Sequence, residues 1–193
     1  MKNSTLLFDL IRSRRSLKPP FFNGQVIDDS IIREMIEAAT WAPTHGLTQP
    51  WRFNVYSGAA LSSLATTLKT TYVEIAQDKA TEEIQKRLSV MPTLSSHVII
   101  ISYVYNPESN IPEWEELAAT SGAVQNLHLM ATAHNVVGVW TSPGFLSSPK
   151  FNVALNIPAN QKVVGIFYLG YTDKELPTSK RKAIEEVTTW VNS

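Results

Sequence analysis

The chain has 193 residues, 44% hydrophobic and 18% charged, which is the make-up of one ordinary globular domain. Its 17 basic and 17 acidic residues cancel, weighing against a nucleic-acid binder, whose phosphate contacts call for a basic surplus. With no cysteine present, disulfides, thiolate metal sites, iron–sulfur clusters and cysteine nucleophiles are excluded together.

In chain order, Ser4 to Arg14 is predicted as a helix, with Ser4 as N-cap and Leu7, Leu10 and Ile11 at helical spacing on one face. Pro19-Pro20 ends it, and Asn23-Gly24 favours a turn. A second helix runs from about Asp29 to Trp41, burying Ile32, Met35, Ile36 and Ala39, and Pro43 stops it. Trp51 to Tyr56 alternates as a strand. Leu61 to Val90 is helical but polar, and is expected to be an excursion or lid. The β-branched run His97 to Tyr105 predicts a buried strand. Pro112 opens a long helix reaching about Asn135. Two further strands, Val136 to Thr141 and Lys162 to Tyr171, flank a short helix at Pro149 to Leu155. The tail from Lys180 to Val191 begins basic and turns amphipathic.

Helices and strands mix without a regular βαβ beat, so the expected fold is an α+β sandwich with one central sheet, spanning residues 1–193 as a single domain. The longest apolar run, Val98 to Tyr105, is too short to cross a bilayer, and the first residues lack the apolar core of a signal peptide. The expectation is a soluble, cytoplasmic protein.

Four segments carry side chains suited to chemistry. Arg12, Arg14, Arg15 and Lys18 fall within seven residues, interrupted by Ser13 and Ser16. Guanidinium forks plus a hydroxyl are what a dianionic phosphate demands. A solvated helix C-terminus accounts for the same charges. The loop Trp41-Ala42-Pro43-Thr44-His45-Gly46-Leu47-Thr48-Gln49-Pro50-Trp51 offers a heteroaromatic ring apolar faces and a few placed polar groups, though a helix–strand corner would also explain it. Gly138 to Gly144 is a strand exit with hydroxyls at Thr141 and Ser142, and Ser179-Lys180-Arg181-Lys182 adds a late basic run. The four histidines show no metal spacing, and no nucleophile elbow, P-loop or dinucleotide fingerprint occurs. Glu113 to Glu116 at the start of the long helix are expected to be structural, since negative charge suits that end of the dipole.

Taken in order, Arg14-Arg15-Ser16, Trp41-Ala42-Pro43-Thr44-His45, Gln49-Pro50-Trp51, Gly138-Val139-Trp140-Thr141-Ser142, Val164 to Gly170 and Lys180-Arg181-Lys182 resemble the nitroreductase family of flavoproteins. The likeness runs nearly the length of the chain and is closest to the short, single-domain members. It implies a sandwich with a mostly antiparallel sheet flanked by helices, and a homodimer with two FMN sites at its interface. It also implies a ping-pong transfer of electrons from NADH or NADPH to nitroaromatic, quinone or similar small acceptors. Arg14, Arg15 and Ser16 would hold the phosphate and ribityl chain, with Lys180 and Arg181 completing the phosphate site. His45 and Gln49 would lie by the flavin, from the partner subunit. Trp140, Thr141 and Ser142 would line the isoalloxazine edge, and Arg14 or Lys18 would supply a cation near N1 and C2=O. No side chain is expected to act as a catalytic acid or base, because hydride transfer asks for geometry and exclusion of water. Trp41 departs from the family pattern, in which relatives can carry arginine before Ala-Pro. Two other readings keep the pocket: a flavin-binding storage or sensor protein without turnover, and a same-fold enzyme performing reductive dehalogenation or flavin fragmentation.

Overall fold

The computed structural model describes residues 3–192. One four-stranded antiparallel sheet, in the order β1-β2-β4-β3, divides the molecule into two layers. Its strands are β1 (Trp51–Ser57), β2 (His97–Val104), β3 (Val137–Thr141) and β4 (Gln161–Gly170). The described residues form six α-helices: α1 (Asn3–Ser13), α2 (Asp29–Thr40), α3 (Ala60–Ala76), α4 (Glu82–Val90), α5 (Glu113–Ala133) and α6 (Pro149–Ala154).

The alternation of side chains along β2 builds both layers. Ile99 and Ile101 join Phe167 and Leu169 of β4 beneath α2 and α5, where Met35, Ala39, Ala123 and Leu127 are fully buried. Val98 and Ile100 face the other way with Ile166 and Tyr168, packed against Leu64, Leu68 and Phe151. Each such side chain contributes roughly 1.5–3 kcal/mol relative to exposure. A strand buried on both faces reads as one continuous apolar run, and β2 does so.

The segment 61–90, expected as an excursion or lid, forms α3, a 3-10 turn and α4. Leu61, Leu64, Leu68, Tyr72 and Leu88 from it belong to the second core cluster. The polar residues that made it look detached lie on its outer side. At the start of α2, Asp28 accepts the Ser30 amide at 2.8 Å. A polar clip fastens this end to the sheet: His97 Nε2 lies 3.0 Å from Asp29 Oδ1, and Ile27 donates its amide to Ser96 Oγ at 2.7 Å.

Two segments stand apart from the core. The apolar face of α1 is uncovered, with Leu6, Leu7 and Phe8 each about half exposed or more and no buried residue in the helix. Spacing shows that a face is apolar, not what covers it. The amphipathic tail forms no α-helix, only a single 3-10 turn at Ile184–Glu186.

Candidate functional site

The chain emerging from α1 lies along the outer edge of β3. Ser16 forms a parallel bridge to Gly138, and Leu17 donates its amide to the Gly138 carbonyl at 3.0 Å. Side chains on either side of this bridge reach two clefts.

The first cleft, about 830 Å³, is lined by Arg12, Arg14, Arg15, Gln125, Ser179 and Arg181, with Asp9 as its one carboxylate. None of the four ion pairs among the described residues includes these arginines. Arg14 is half-buried, and its guanidinium is pushed below its ordinary pKa by burial, then by Arg181 and Arg15. It reaches Ser16 Oγ at only 3.5 Å. Under Arg14, His128 stacks on Phe167 at 4.3 Å, and burial plus the Arg14 charge lower its pKa to about 4. Concentrated positive charge in a partly desolvated cleft is a standing electrostatic demand for an anion.

The second cleft, about 310 Å³, is lined by Lys18, Arg87, Thr141, Ser142, Ile166 and Tyr168, among others, with no carboxylate. Lys18 and Arg87 also stand outside the ion pairs of the described residues. Burial drives the Tyr168 phenol upward, against a smaller opposing pull from Arg87. Arg87 is absent from the sequence-based site. It sits in the last turn of α4, in a polar segment where one more basic residue carries no signal, and only the fold brings it to the cleft that Lys18 lines.

Sequence reasoning therefore assembled residues that the fold divides. Arg14, Arg15 and Arg181 share the first cleft, and Lys18, Thr141 and Ser142 share the second. Ser16 belongs to the bridge between them. Lys180 lines neither cleft. Trp140 packs against the first core cluster, and its Nε1 is buried without an acceptor.

His45 and Gln49 line neither cleft and stand on an exposed loop at the start of α5. The acidic opening of that helix fastens the loop. His45 Nδ1 lies 2.6 Å from Glu115 Oε2, and Thr48 donates to buried Glu116 at 2.7 Å. Glu113 instead accepts from Tyr103 at 2.6 Å and pairs with Lys162. Gly46, Leu47 and Gln49 all take left-handed backbone angles, at φ 58°, 54° and 46°. For Leu47 and Gln49 this is strain of roughly 1 kcal/mol each, the kind that collects at functional loops. Trp41 at the loop's start is 82% exposed.

The family model described as "Nitroreductase family" matches residues 11–171, which span the end of α1, the loop, the whole sheet, the second cleft and the Arg12 to Arg15 part of the first, whose Ser179 and Arg181 lie beyond the match. The chain belongs to the nitroreductase family. It is thus an oxidoreductase, and the earlier resemblance is borne out. YfhC of Bacillus subtilis (strain 168), which carries the name of an NAD(P)H nitroreductase, is 28% identical over 183 residues, covering 94% of this chain and 92% of that one. A crystal structure of a nitroreductase-like family protein from Bacillus cereus superposes with a TM-score of 0.84 at 26% identity, covering all of both chains. The FMN-dependent nitroreductase NfnB from Mycobacterium smegmatis, in complex with NADPH, gives 0.76 at 21% identity, covering 98% of this chain and all of that one. The antiparallel sheet between helical layers is the nitroreductase architecture, as expected from the sequence. No helix of the described residues is long and apolar enough to cross a membrane.

Proposed function

We propose that this nitroreductase holds FMN across the Ser16–Gly138 bridge and uses NADH or NADPH to reduce small nitroaromatic or quinone acceptors in a ping-pong cycle. The observation that carries the reading is the pair of cationic clefts flanking that bridge. Arg14 and Arg181 would take the phosphate, to which guanidinium offers two parallel donors. Lys18 and Arg87, with the hydroxyls of Thr141 and Ser142, would face the pyrimidine edge of the ring. The residues fit the group: like charges that depress Arg14 are relieved by a dianion, and among the described residues none of these cations has a carboxylate paired to it.

Bound FMN supplies the electron-carrying chemistry. The chain's own part is to bind, orient and shield. Cations at the pyrimidine edge favour the form of the ring with more negative charge there. Buried Ile166 and Tyr168 give the second cleft a dry wall. No carboxylate or histidine lines that cleft, so we assign no acid–base residue to the chemistry.

The exposed apolar side of α1, together with Trp114 and Leu117 on α5, supports a homodimer, since isolated single-chain surfaces seldom leave such rows uncovered. In that dimer the strained loop carrying His45 and Gln49 would reach the partner's cofactor. A cysteine-free chain suits the reducing cytoplasm, where we place it.

Purified protein should be yellow, and anaerobic NADH or NADPH should bleach it faster than about once per second, the low end of ordinary turnover. A coloured protein that neither donor bleaches would instead be a flavin-storage protein, and a colourless one that takes up no FMN would overturn the reading.

A further inference from the structure

Residues 175–192 follow β4 and run back to the first cleft, where Ser179 and Arg181 form part of the wall. Among the described residues, one hydrogen bond ties this stretch to the rest of the chain: Arg15 Nε donates to the Pro177 carbonyl at 2.6 Å. The others are internal to it: from Arg181 to Ser179 and to the Lys180 carbonyl, from the Ala183 amide to Glu186, and from the Glu186 and Val187 amides to the Ala183 and Ile184 carbonyls. No ion pair among the described residues involves it.

The rest of the Arg15 fork is also committed to the main chain. Its Nη1 donates to the Arg12 carbonyl at 2.6 Å and the Arg14 carbonyl at 2.9 Å. A guanidinium grips a phosphate through two adjacent nitrogens, either Nε with Nη2 or Nη1 with Nη2. With Nε and Nη1 both spent, each of those edges has lost a member. Arg14, whose one side-chain hydrogen bond among the described residues runs weakly from Nη1 to Ser16 Oγ at 3.5 Å, keeps its Nε–Nη2 edge open.

We infer that Arg15 is a positioning residue, which buckles residues 175–192 onto α1 and so delivers Ser179 and Arg181 to the phosphate that Arg14 grips directly. The inference rests on the proposed FMN site and divides the Arg14-Arg15-Ser16 motif into a ligand and a fastener. The guanidinium satisfies three carbonyls that would otherwise compete for water, at the point where α1 ends. Pro177 is two residues ahead of Ser179 and four ahead of Arg181, so a fixed Pro177 carbonyl leaves the intervening chain little freedom.

The test compares Arg15→Ala, Arg181→Ala and the double variant for binding of FMN and of riboflavin, which lacks the phosphate, alongside trypsin cleavage at Lys180 to Lys182 in the flavin-free protein. Each single variant should weaken FMN binding at least about tenfold, the scale of one charge-assisted hydrogen bond. The double should bind no more weakly than the worse single, and riboflavin affinity should not move. Trypsin should cut Arg15→Ala faster than the native chain, but cut Arg14→Ala at the native rate. Losses that multiply in the double variant, with native cleavage, would make Arg15 a phosphate ligand in its own right and overturn the inference. Should Arg15→Ala fail to fold, Arg15→Lys keeps the charge without the planar fork and should reproduce the loss; native FMN binding by that variant would equally overturn it. If the native chain takes up no FMN, the cofactor reading fails alone. Cleavage then still decides the fastener, upheld by faster cutting of the Arg15 variant and refuted by equal cutting.

Discussion

Leu17 donates its amide hydrogen to the carbonyl oxygen of Gly138 at 3.0 Å, and this contact between the segment after α1 and the sheet edge lies between the two cationic clefts. Gly138 has no room to be anything else. A Cβ there would stand 2.5 Å from the Tyr168 carbonyl oxygen and 2.8 Å from the Phe167 ring. The first obstacle is backbone and cannot rotate aside. Gly138→Ala should therefore destabilise the fold by about 1–3 kcal/mol, as overpacking does. Thermal unfolding should show it as a drop of several degrees, at roughly 2–4 °C per kcal/mol for a chain this size. FMN retention after gel filtration should fall with it.

Arg14 should separate function from stability. Its guanidinium is burdened by burial and by Arg181 and Arg15, with no carboxylate among the described residues paired to it. Removing it relieves like-charge repulsion in the flavin-free protein and leaves phosphate charge less well met in the complex. Arg14→Ala should melt no lower than native without FMN, yet bind FMN more weakly by about 2 kcal/mol, the low end for one partner of a desolvated charge pair. Equal FMN affinity measured by fluorescence titration would remove Arg14 from the site.

Contiguity decided what the sequence could reveal about this site. Arg14, Arg15 and Ser16 are adjacent, so their shared place at the end of α1 needs only a helix boundary to be read. Lys18 and Arg87 line one cleft because α4, through Leu88, belongs to the core layer of Ile166 and Tyr168, which no local pattern encodes. The core was legible for the same reason the clefts were not: β2 is a run of β-branched residues whatever lies above it. Apolar spacing in α1 was equally plain, yet Leu7 and Phe8 face outward. Within one chain a row of apolar side chains looks the same whether an adjoining helix or a second molecule covers it.

That uncovered row gives the third prediction. Leu6, 51% exposed, and Leu7, 55% exposed, line neither cleft and join neither core cluster. Replacing both by glutamate should leave the folded core intact, because α1 contributes no buried residue to it. Sedimentation should then shift from dimer to monomer, with FMN affinity falling in parallel if the cofactor site needs the partner. A native chain that sediments as a monomer with FMN bound would sink the dimeric arrangement.

The fourth concerns the loop that carries His45 and Gln49. Thr48 Oγ1 is the hydrogen-bond donor to the buried Glu116 carboxylate, at 2.7 Å. Thr48→Val keeps the shape and removes the donor, leaving a buried acceptor unmet at a cost of about 1.5–3 kcal/mol. Because the neighbouring Leu47 and Gln49 are held at positive φ, the freed loop should relax. Amide exchange across residues 44–49 should quicken more than in the sheet. Unchanged exchange would mean that the His45–Glu115 contact alone fixes the loop.

Acid should weaken the fold through His128. Burial, then the Arg14 charge, depresses its folded pKa from 6.5 to about 4. Between those two values the unfolded chain binds a proton that the folded chain refuses, so stability falls as pH drops through 6.5 toward 4 and levels below that. The span corresponds to a loss of roughly 3 kcal/mol if His128 acted alone. His128→Phe keeps an aromatic ring on Phe167, with which His128 stacks at 4.3 Å, and removes the titration. Urea unfolding of the variant should therefore lose most of the pH slope in that window while matching the native chain near neutrality. A phosphate dianion bound at Arg14 offsets the positive charge that helps suppress His128 protonation, so FMN should raise the lower end of that window and shrink the total loss, while the upper end stays at 6.5. A slope that survives in His128→Phe would assign the acid sensitivity to another group.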